Sequence, residues 1–248
     1  MAKNSIYKNL ISQNNRCSAI ALIDPDVKND IKLDSIIDTI NYSNFDAIFV
    51  GGSIIMDNLF EKRLKYIKSK TNLPVILFPG SSAQVSKDAD AILFLSLISG
   101  RNPQYLIEEH VKSAPEIYKI GIETIPTGYI LLESGKKTSV EIVSKTQPIP
   151  LDKKDVILAH ALAGQYLGNK LIYLEMGSGA KISINTDLVS YIKSKISIPL
   201  VIGGGINSIE TAKLISSAGA DFIVIGTLLE NEQDKNKIKK ICEIIHGK

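Results

Sequence analysis

Residues 200–229 read LVIGGGINSIETAKLISSAGADFIVIGTLL. A short apolar run, Leu200 to Ile202, ends in Gly203, Gly204 and Gly205. Ser208 stands where a helix cap belongs, ahead of an amphipathic segment with Ile209, Ala212 and Ile215 on one face. A second apolar run, Phe222 to Ile225, ends in Gly226 and Thr227. Two buried-type strands, each ending in glycine and each followed by a helix start, leave backbone N–H groups bare. Such groups cradle an oxyanion, and the helix N-terminus adds favourable potential. In a (β/α)8 barrel, phosphate usually binds at the loops after strands 7 and 8. A tight strand-to-helix turn would explain one such glycine end; the tandem repeat favours a phosphorylated ligand.

The rest of the chain fits that frame. Its 248 residues match the roughly 250 expected of one TIM-type barrel, and it reads as a single domain over residues 1–248. With 44% hydrophobic and 22% charged residues it resembles ordinary globular proteins. A net charge of +3, with no basic run interleaved with aromatics, argues against nucleic acid. Cys17 and Cys242 stand far apart without a spacing motif, which favours a reducing, cytoplasmic setting over a disulfide framework or zinc. The opening MAKNSIYKNLISQNN lacks the apolar centre of a secretion signal, and no uncharged run reaches the ~18 residues of a membrane span.

Strands are expected at Ser18 to Ile23, Ala47 to Val50, Val75 to Phe78, Ala91 to Leu95, Thr127 to Leu132 and Leu171 to Glu175, then at the two runs above. Pro126 sets the expected start of the fifth. Helical patterns lie between them, at Lys32 to Asn41, Asp57 to Lys68, Pro103 to Ala114, Asp152 to Leu167 and Asp187 to Lys195, with a closing helix from Asp234. That alternation implies a parallel sheet. Between Phe78 and Ala91, however, lie only twelve residues, PGSSAQVSKDAD, too few and too polar for a crossover helix. The third outer helix is therefore expected to be missing or replaced by an extended segment. Glu133 to Leu151 reads as a long loop at the catalytic face, with an alternating piece from Ser139 to Val143.

Polar residues at the C-terminal strand ends are the candidates for chemistry. They are Asp24, Asp26, Ser53, Glu133, Tyr173 and Glu175. Asp24 and the Ser53 hydroxyl offer two hard oxygens on neighbouring strands, enough for magnesium shared with phosphate and water. An Asp-Pro turn with a helix cap accounts for the same residues equally well, and Asp26 lies further out. In Tyr173-Leu174-Glu175-Met176-Gly177-Ser178-Gly179, alternation points Tyr173 and Glu175 to one side, and the glycines offer further N–H donors. A carboxylate beside a phosphate pocket suits a general base acting on a ligand hydroxyl. His110, His160 and His246 fall away from strand ends and read as structural or surface residues. No nucleophile triad, Walker loop or dinucleotide fingerprint is present.

Assembled, the stretches LIDPD, FVGGS, LFPGSS, SLISGRNPQYLI, IPTGYILLESGKKTSVEIVS, YLEMGSGA, VIGGGI and IGTLLE resemble the geranylgeranylglyceryl phosphate synthase family of prenyltransferase barrels, over about Ala21 to Leu229. The resemblance implies magnesium-dependent transfer of a geranylgeranyl group from its diphosphate to the 3-hydroxyl of sn-glycerol 1-phosphate. It places the glycerol-phosphate site on Tyr173 to Gly179, Gly204, Gly205, Gly226 and Thr227, the metal (Mg2+) on Asp24 and Ser53, and catalysis on Glu175 with Tyr173 beside it. It also makes Tyr105 the residue that limits prenyl length, and gives the missing helix a purpose as an apolar groove. The expected partners are these small molecules, a membrane surface touched briefly during product release, and further copies of the chain. A phosphoribosyl isomerase or lyase barrel would explain the glycine loops but not YLEMGSG or the lost helix. A barrel that only binds a phosphorylated metabolite predicts loss of the carboxylates, yet Asp24 and Glu175 are both present.

Overall fold

The computed structural model describes residues 5–12, 16–232 and 234–247; residues 1–4, 13–15, 233 and 248, part of the expected domain, lie outside the described residues. Eight parallel strands close into a barrel in chain order: β1 Ser18–Ile23, β2 Ala47–Val50, β3 Val75–Leu77, β4 Ala91–Leu97, β5 Glu123–Leu131, β6 Leu171–Glu175, β7 Leu200–Gly203 and β8 Phe222–Ile225. The strands alternate, so Ile20, Phe49, Leu93, Tyr173, Val201 and Phe222 fill the barrel, while Ile48, Ile92, Ile172 and Ile223 pack outward against the helices.

The N-terminal helix Ile6–Ser12, for which the sequence carries no clear signal, packs on the barrel-interior cluster through Leu10. Glu123, at the first position of β5, accepts from Ser5 Oγ (2.6 Å) and from the N–H groups of Ile6 (2.6 Å) and Tyr7 (3.3 Å). Its carboxylate thus satisfies donors that the start of a helix leaves free.

Two expectations need correction. β5 begins at Glu123 and runs through Pro126 instead of starting after it. In a parallel pair a residue's N–H and C=O face the same neighbour, and the Pro126 carbonyl faces β6, accepting from Lys170 N–H at 2.8 Å. The missing proline donor therefore points to a place ahead of Leu171, where β6 has not yet begun, and no ladder bond is lost. The stretch Glu133 to Leu151, expected as a loop with an alternating piece, also contains a helix: Ser139–Ser144, capped by Thr138, whose side chain accepts from Glu141 N–H. Thr138 and Glu141 have the spacing of a capping box, and six residues are too few for the alternation to outweigh it.

The third outer helix is absent as expected. A single turn, Ser82–Gln84, is all that lies between β3 and β4. Gln84 is buried and holds the chain down, donating to Gly52 O at 2.7 Å and accepting from Gly52 N–H at 3.3 Å. With no helix over them, Phe94, Leu95 and Ser96 of β4 stay half-buried where the other central strands are covered. The next helical segment opens with a π-turn, Gln104–Glu108, and continues as Glu109–Ile120 along the edge of this uncovered strip.

Candidate active site

One cavity of 620 Å³ occupies the C-terminal mouth of the barrel and continues sideways along the strip left by the missing helix. Asp24, Ser53, Glu175, Gly204 and Thr227 line its mouth; Ile92, Phe94, Tyr105 and His110 line its apolar extension.

The metal candidates are positioned by a buried arginine. Arg63, 5% exposed on the helix Phe60–Ser69, binds Asp30 from the loop after β1 and Asp57 from the loop after β2, and donates to Pro25 O at 3.2 Å. Asp57 belongs to this clamp and not to the helix expected to start there. Asp24 sits at the end of β1, with Oδ2 2.6 Å from Lys28 Nζ. Its Oδ1 is buried and accepts no hydrogen bond. Gly52 is required beside it, since a Cβ there would lie 2.6 Å from that oxygen. Burial raises the Asp24 pKa, with Lys28 pulling the other way. Asp26, by contrast, is used up by the fold: its carboxylate accepts from Lys28 N–H (3.3 Å) and Met56 N–H (3.0 Å). Among the described residues no three His, Cys, Asp or Glu side chains converge as a metal cage. An orphaned carboxylate oxygen with a neighbouring serine supplies only part of a shell. That fits magnesium, which keeps waters and takes other ligands from a substrate's phosphates.

Glu175 ends β6 opposite Leu131 of β5 and Gly203 of β7. It is 6% exposed, and Oε1 accepts from Gly177 N–H. Burial pushes its pKa up to about 6, against the opposing influence of the Gly177 N–H and the Tyr129 and Tyr173 hydroxyls. Tyr173 is fully buried and paired in register with Tyr129, and its hydroxyl has no partner of good geometry beyond its proximity to the carboxylate. Tyr173 stacks on Phe78 at 5.4 Å between centroids and lies 5.2 Å from the Tyr129 ring. Gly203 is needed beneath it, because a Cβ would come within 2.2 Å of the hydroxyl. The result is an electron-rich aromatic floor under one ionisable carboxylate. Tyr129 and Phe78 were not among the expected site residues; Tyr129 gave one signal, its place two residues before the end of a barrel strand.

The glycine loops converge but divide their work differently from the expectation. Gly177 N–H serves Glu175, and Gly179 N–H donates to Thr227 Oγ1 at 3.1 Å, with Ser178 Oγ 3.0 Å from the same oxygen. Thr227 thus pins the loop after β6 to the loop after β8. Among the described residues, the N–H groups of Gly204, Gly205, Gly226 and Thr227 donate to no protein acceptor, and these remain for an anion. Leu174 faces outward into the helix layer, and Met176 is fully buried there too, so both are packing residues of this segment. Glu133 is exposed and does not line the cavity.

Tyr105 stands on the π-turn, partly buried against the barrel-interior cluster, and borders the apolar extension. His110, expected to be a structural or surface residue, lines the same extension five residues later, edge-on to Phe94 at 4.4 Å and 3.2 Å from Ser96 Oγ. Burial lowers its pKa, against the opposing influence of the Leu95 backbone and the Glu109 carboxylate. His246 is structural as expected, bonded to Asp46 at 2.9 Å, and His160 bonds its own helix at Val156 O.

A barrel that joins bare glycine loops, one raised glutamate and an apolar side channel has counterparts of known kind. The sequence profile of the PcrB family matches residues 12–245. A geranylgeranylglyceryl phosphate synthase of Flavobacterium johnsoniae is 50% identical over 211 residues, 85% of this chain and 87% of the relative. The synthase of Chitinophaga pinensis is 41% identical over 98% of this chain and 97% of its own. Among solved structures, (S)-3-O-geranylgeranylglyceryl phosphate synthase from Thermoplasma acidophilum, in complex with its substrate sn-glycerol-1-phosphate, superposes with a TM-score of 0.93 at 34% identity, covering 99% of this chain and 100% of that one. With the profile spanning residues 12–245 and these relatives matching 85% and 98% of the sequence, this chain belongs to the PcrB family.

Proposed function

We propose that this chain is a geranylgeranylglyceryl phosphate synthase, joining a geranylgeranyl group to the 3-hydroxyl of sn-glycerol 1-phosphate through an ether bond and releasing diphosphate. The observation that carries this reading is the continuity of the cavity. An anion site of bare N–H groups, a base with a pKa of about 6 and an apolar channel open into one another. An isomerase of small sugar phosphates has no use for such a channel. Incubation with sn-glycerol 1-phosphate, magnesium and prenyl diphosphates of several lengths, with product mass read directly, is expected to give the geranylgeranyl ether. No ether product from any donor would overturn the reading.

The steps follow from the residues. Gly204, Gly205, Gly226 and Thr227 hold the acceptor's phosphate with backbone N–H groups. Glu175 takes the proton from the acceptor hydroxyl as that oxygen attacks the allylic carbon. The rings of Tyr129, Tyr173 and Phe78 exclude water and face positive charge with their negative π-surfaces. Asp24 and Ser53 would hold magnesium, which when bound neutralises charge on a departing diphosphate. Catalysis here is chiefly positioning and electrostatics.

Tyr105 is part of this proposal as the stop of the channel. A rigid ring across a close-packed apolar groove leaves no room for several further methylenes. Tyr105→Ala is expected to raise kcat/KM for a heptaprenyl donor relative to the geranylgeranyl donor by at least about tenfold. An unchanged ratio would move the stop to Phe94 and His110, further along the strip. The proposal extends to self-association and brief membrane contact, supported by exposed Val111, Tyr118, Tyr166 and Leu167 on outer helices and by Ile142 and Ile182 at the mouth. A solution mass of one 27.1 kDa chain, or no sedimentation with anionic vesicles, would remove the corresponding part.

A further inference from the structure

We propose that Lys136 is a further binding residue of the anion site, one that closes over the acceptor's phosphate from the β5 side; this deepens the function proposed above and rests on it. The connection after β5 is laid directly on the loop after β6. Thr138 fills the space beside Gly177, where a Cβ would come within 2.2 Å of Thr138 Cγ2. Ser134 O accepts from Lys181 N–H at 3.2 Å, and the Ser134 hydroxyl donates to Lys136 O at 3.0 Å. Gly135, at φ +74°, makes the turn between them. The side chain of Lys136 is thereby carried over Gly179, where an added Cβ would stand 2.8 Å from Nζ.

Lys136 differs from the paired lysines in what its ammonium faces. Lys28, Lys112, Lys193 and Lys237 each rest on a carboxylate. Lys136 has no such partner among the described residues. Its ammonium instead approaches a loop whose neighbours present unused backbone N–H groups at Gly204, Gly205, Gly226 and Thr227. Positive charge brought toward positive backbone potential is unfavourable until an anion lies between them. A phosphate monoester, doubly charged and with three acceptor oxygens, suits both sides at once. Thr227 ties Gly179 to the loop after β8, so the ammonium serves the glycine loops rather than the Asp24 corner.

The test is calorimetry on the intact chain with inorganic phosphate, sn-glycerol 1-phosphate and inorganic diphosphate with magnesium. Lys136→Met is expected to weaken the first two by about tenfold, and to flatten their dependence on salt. Its affinity for diphosphate with magnesium should stay at wild-type level. Lys136→Arg should restore phosphate binding, and Lys137→Met, removing the adjacent exposed charge, should leave it unchanged. Unaltered phosphate affinity in Lys136→Met, an equal loss in Lys137→Met, or a loss confined to diphosphate would each overturn the assignment. If the wild type binds inorganic phosphate but not sn-glycerol 1-phosphate, the acceptor's identity fails, and the inorganic phosphate arm still decides the role of Lys136.

Discussion

Glu175→Gln is expected to lower turnover by about 10²–10⁴-fold while leaving the affinity for sn-glycerol 1-phosphate within about threefold of wild type. Glutamine keeps the volume and can still accept from Gly177 N–H, so the loop after β6 holds its shape. What it loses is the ability to take a proton. The phosphate is not its concern, because the N–H groups available for that lie on Gly204, Gly205, Gly226 and Thr227. The pH profile gives the same residue a second test. Burial raises the Glu175 pKa to about 6, and a base works only when ionised, so kcat/KM should fall below pH 6 and be level above it. Tyr129→Phe removes a hydroxyl that favours the ionised form, so the acidic limb should move to higher pH. Calorimetry and rate measurements across pH check both. Binding lost together with turnover would make Glu175 a holder of substrate and not its base.

The parts of this site that could be read from sequence are those fixed by neighbours in the chain. An apolar run ended by glycine identifies a barrel strand and its loop, so β7, β8 and the positions of Gly204 and Gly226 follow directly. The missing helix is equally local, because a largely polar connection of twelve residues is too short to carry a full crossover helix. Pro126 is a different case. Whether it breaks β5 depends on where β6 starts, a fact held by residues more than forty positions away. The aromatic floor is likewise a property of register. Tyr129 meets Tyr173 only because β5 and β6 pair at that step, and Phe78 reaches them from a third strand's end. His110 lies away from any strand end, where sequence gives no sign of a site, but on an uncovered strip the helix beside a strand becomes part of the wall. The helix Ser139–Ser144 was legible in principle through Thr138 and Glu141, and alternation over so short a piece obscured it.

Asp24→Ala should reduce kcat/KM for the prenyl diphosphate on the order of 10²–10³-fold, and should abolish most of its dependence on magnesium. Affinity for sn-glycerol 1-phosphate should change little, since Asp24 shares no hydrogen bond with the glycine loops. Three observations support Asp24 as the anchor in the proposed metal site. Its Oδ1 is buried without a donor, a costly state for a carboxylate unless another ligand completes it. Gly52 leaves room beside that oxygen which any side chain would fill. The clamp of Arg63 on Asp30 and Asp57 fixes the loops that carry Asp24 and Ser53, so the two oxygens keep their spacing without touching each other. Lys28 complicates the variant usefully. Freed from Asp24, its ammonium can approach a diphosphate and replace part of the lost charge. Residual activity in Asp24→Ala should therefore be independent of magnesium and fall further in Asp24→Ala with Lys28→Met. The measurement is initial rate against magnesium concentration in wild type and both variants, with chelator as the zero point. A magnesium requirement in Asp24→Ala equal to that of wild type would remove Asp24 from the metal site. Asp26 could not inherit the role without breaking its bonds to Lys28 and Met56 N–H groups, so Glu230, which lines the same mouth, would become the next oxygen to test.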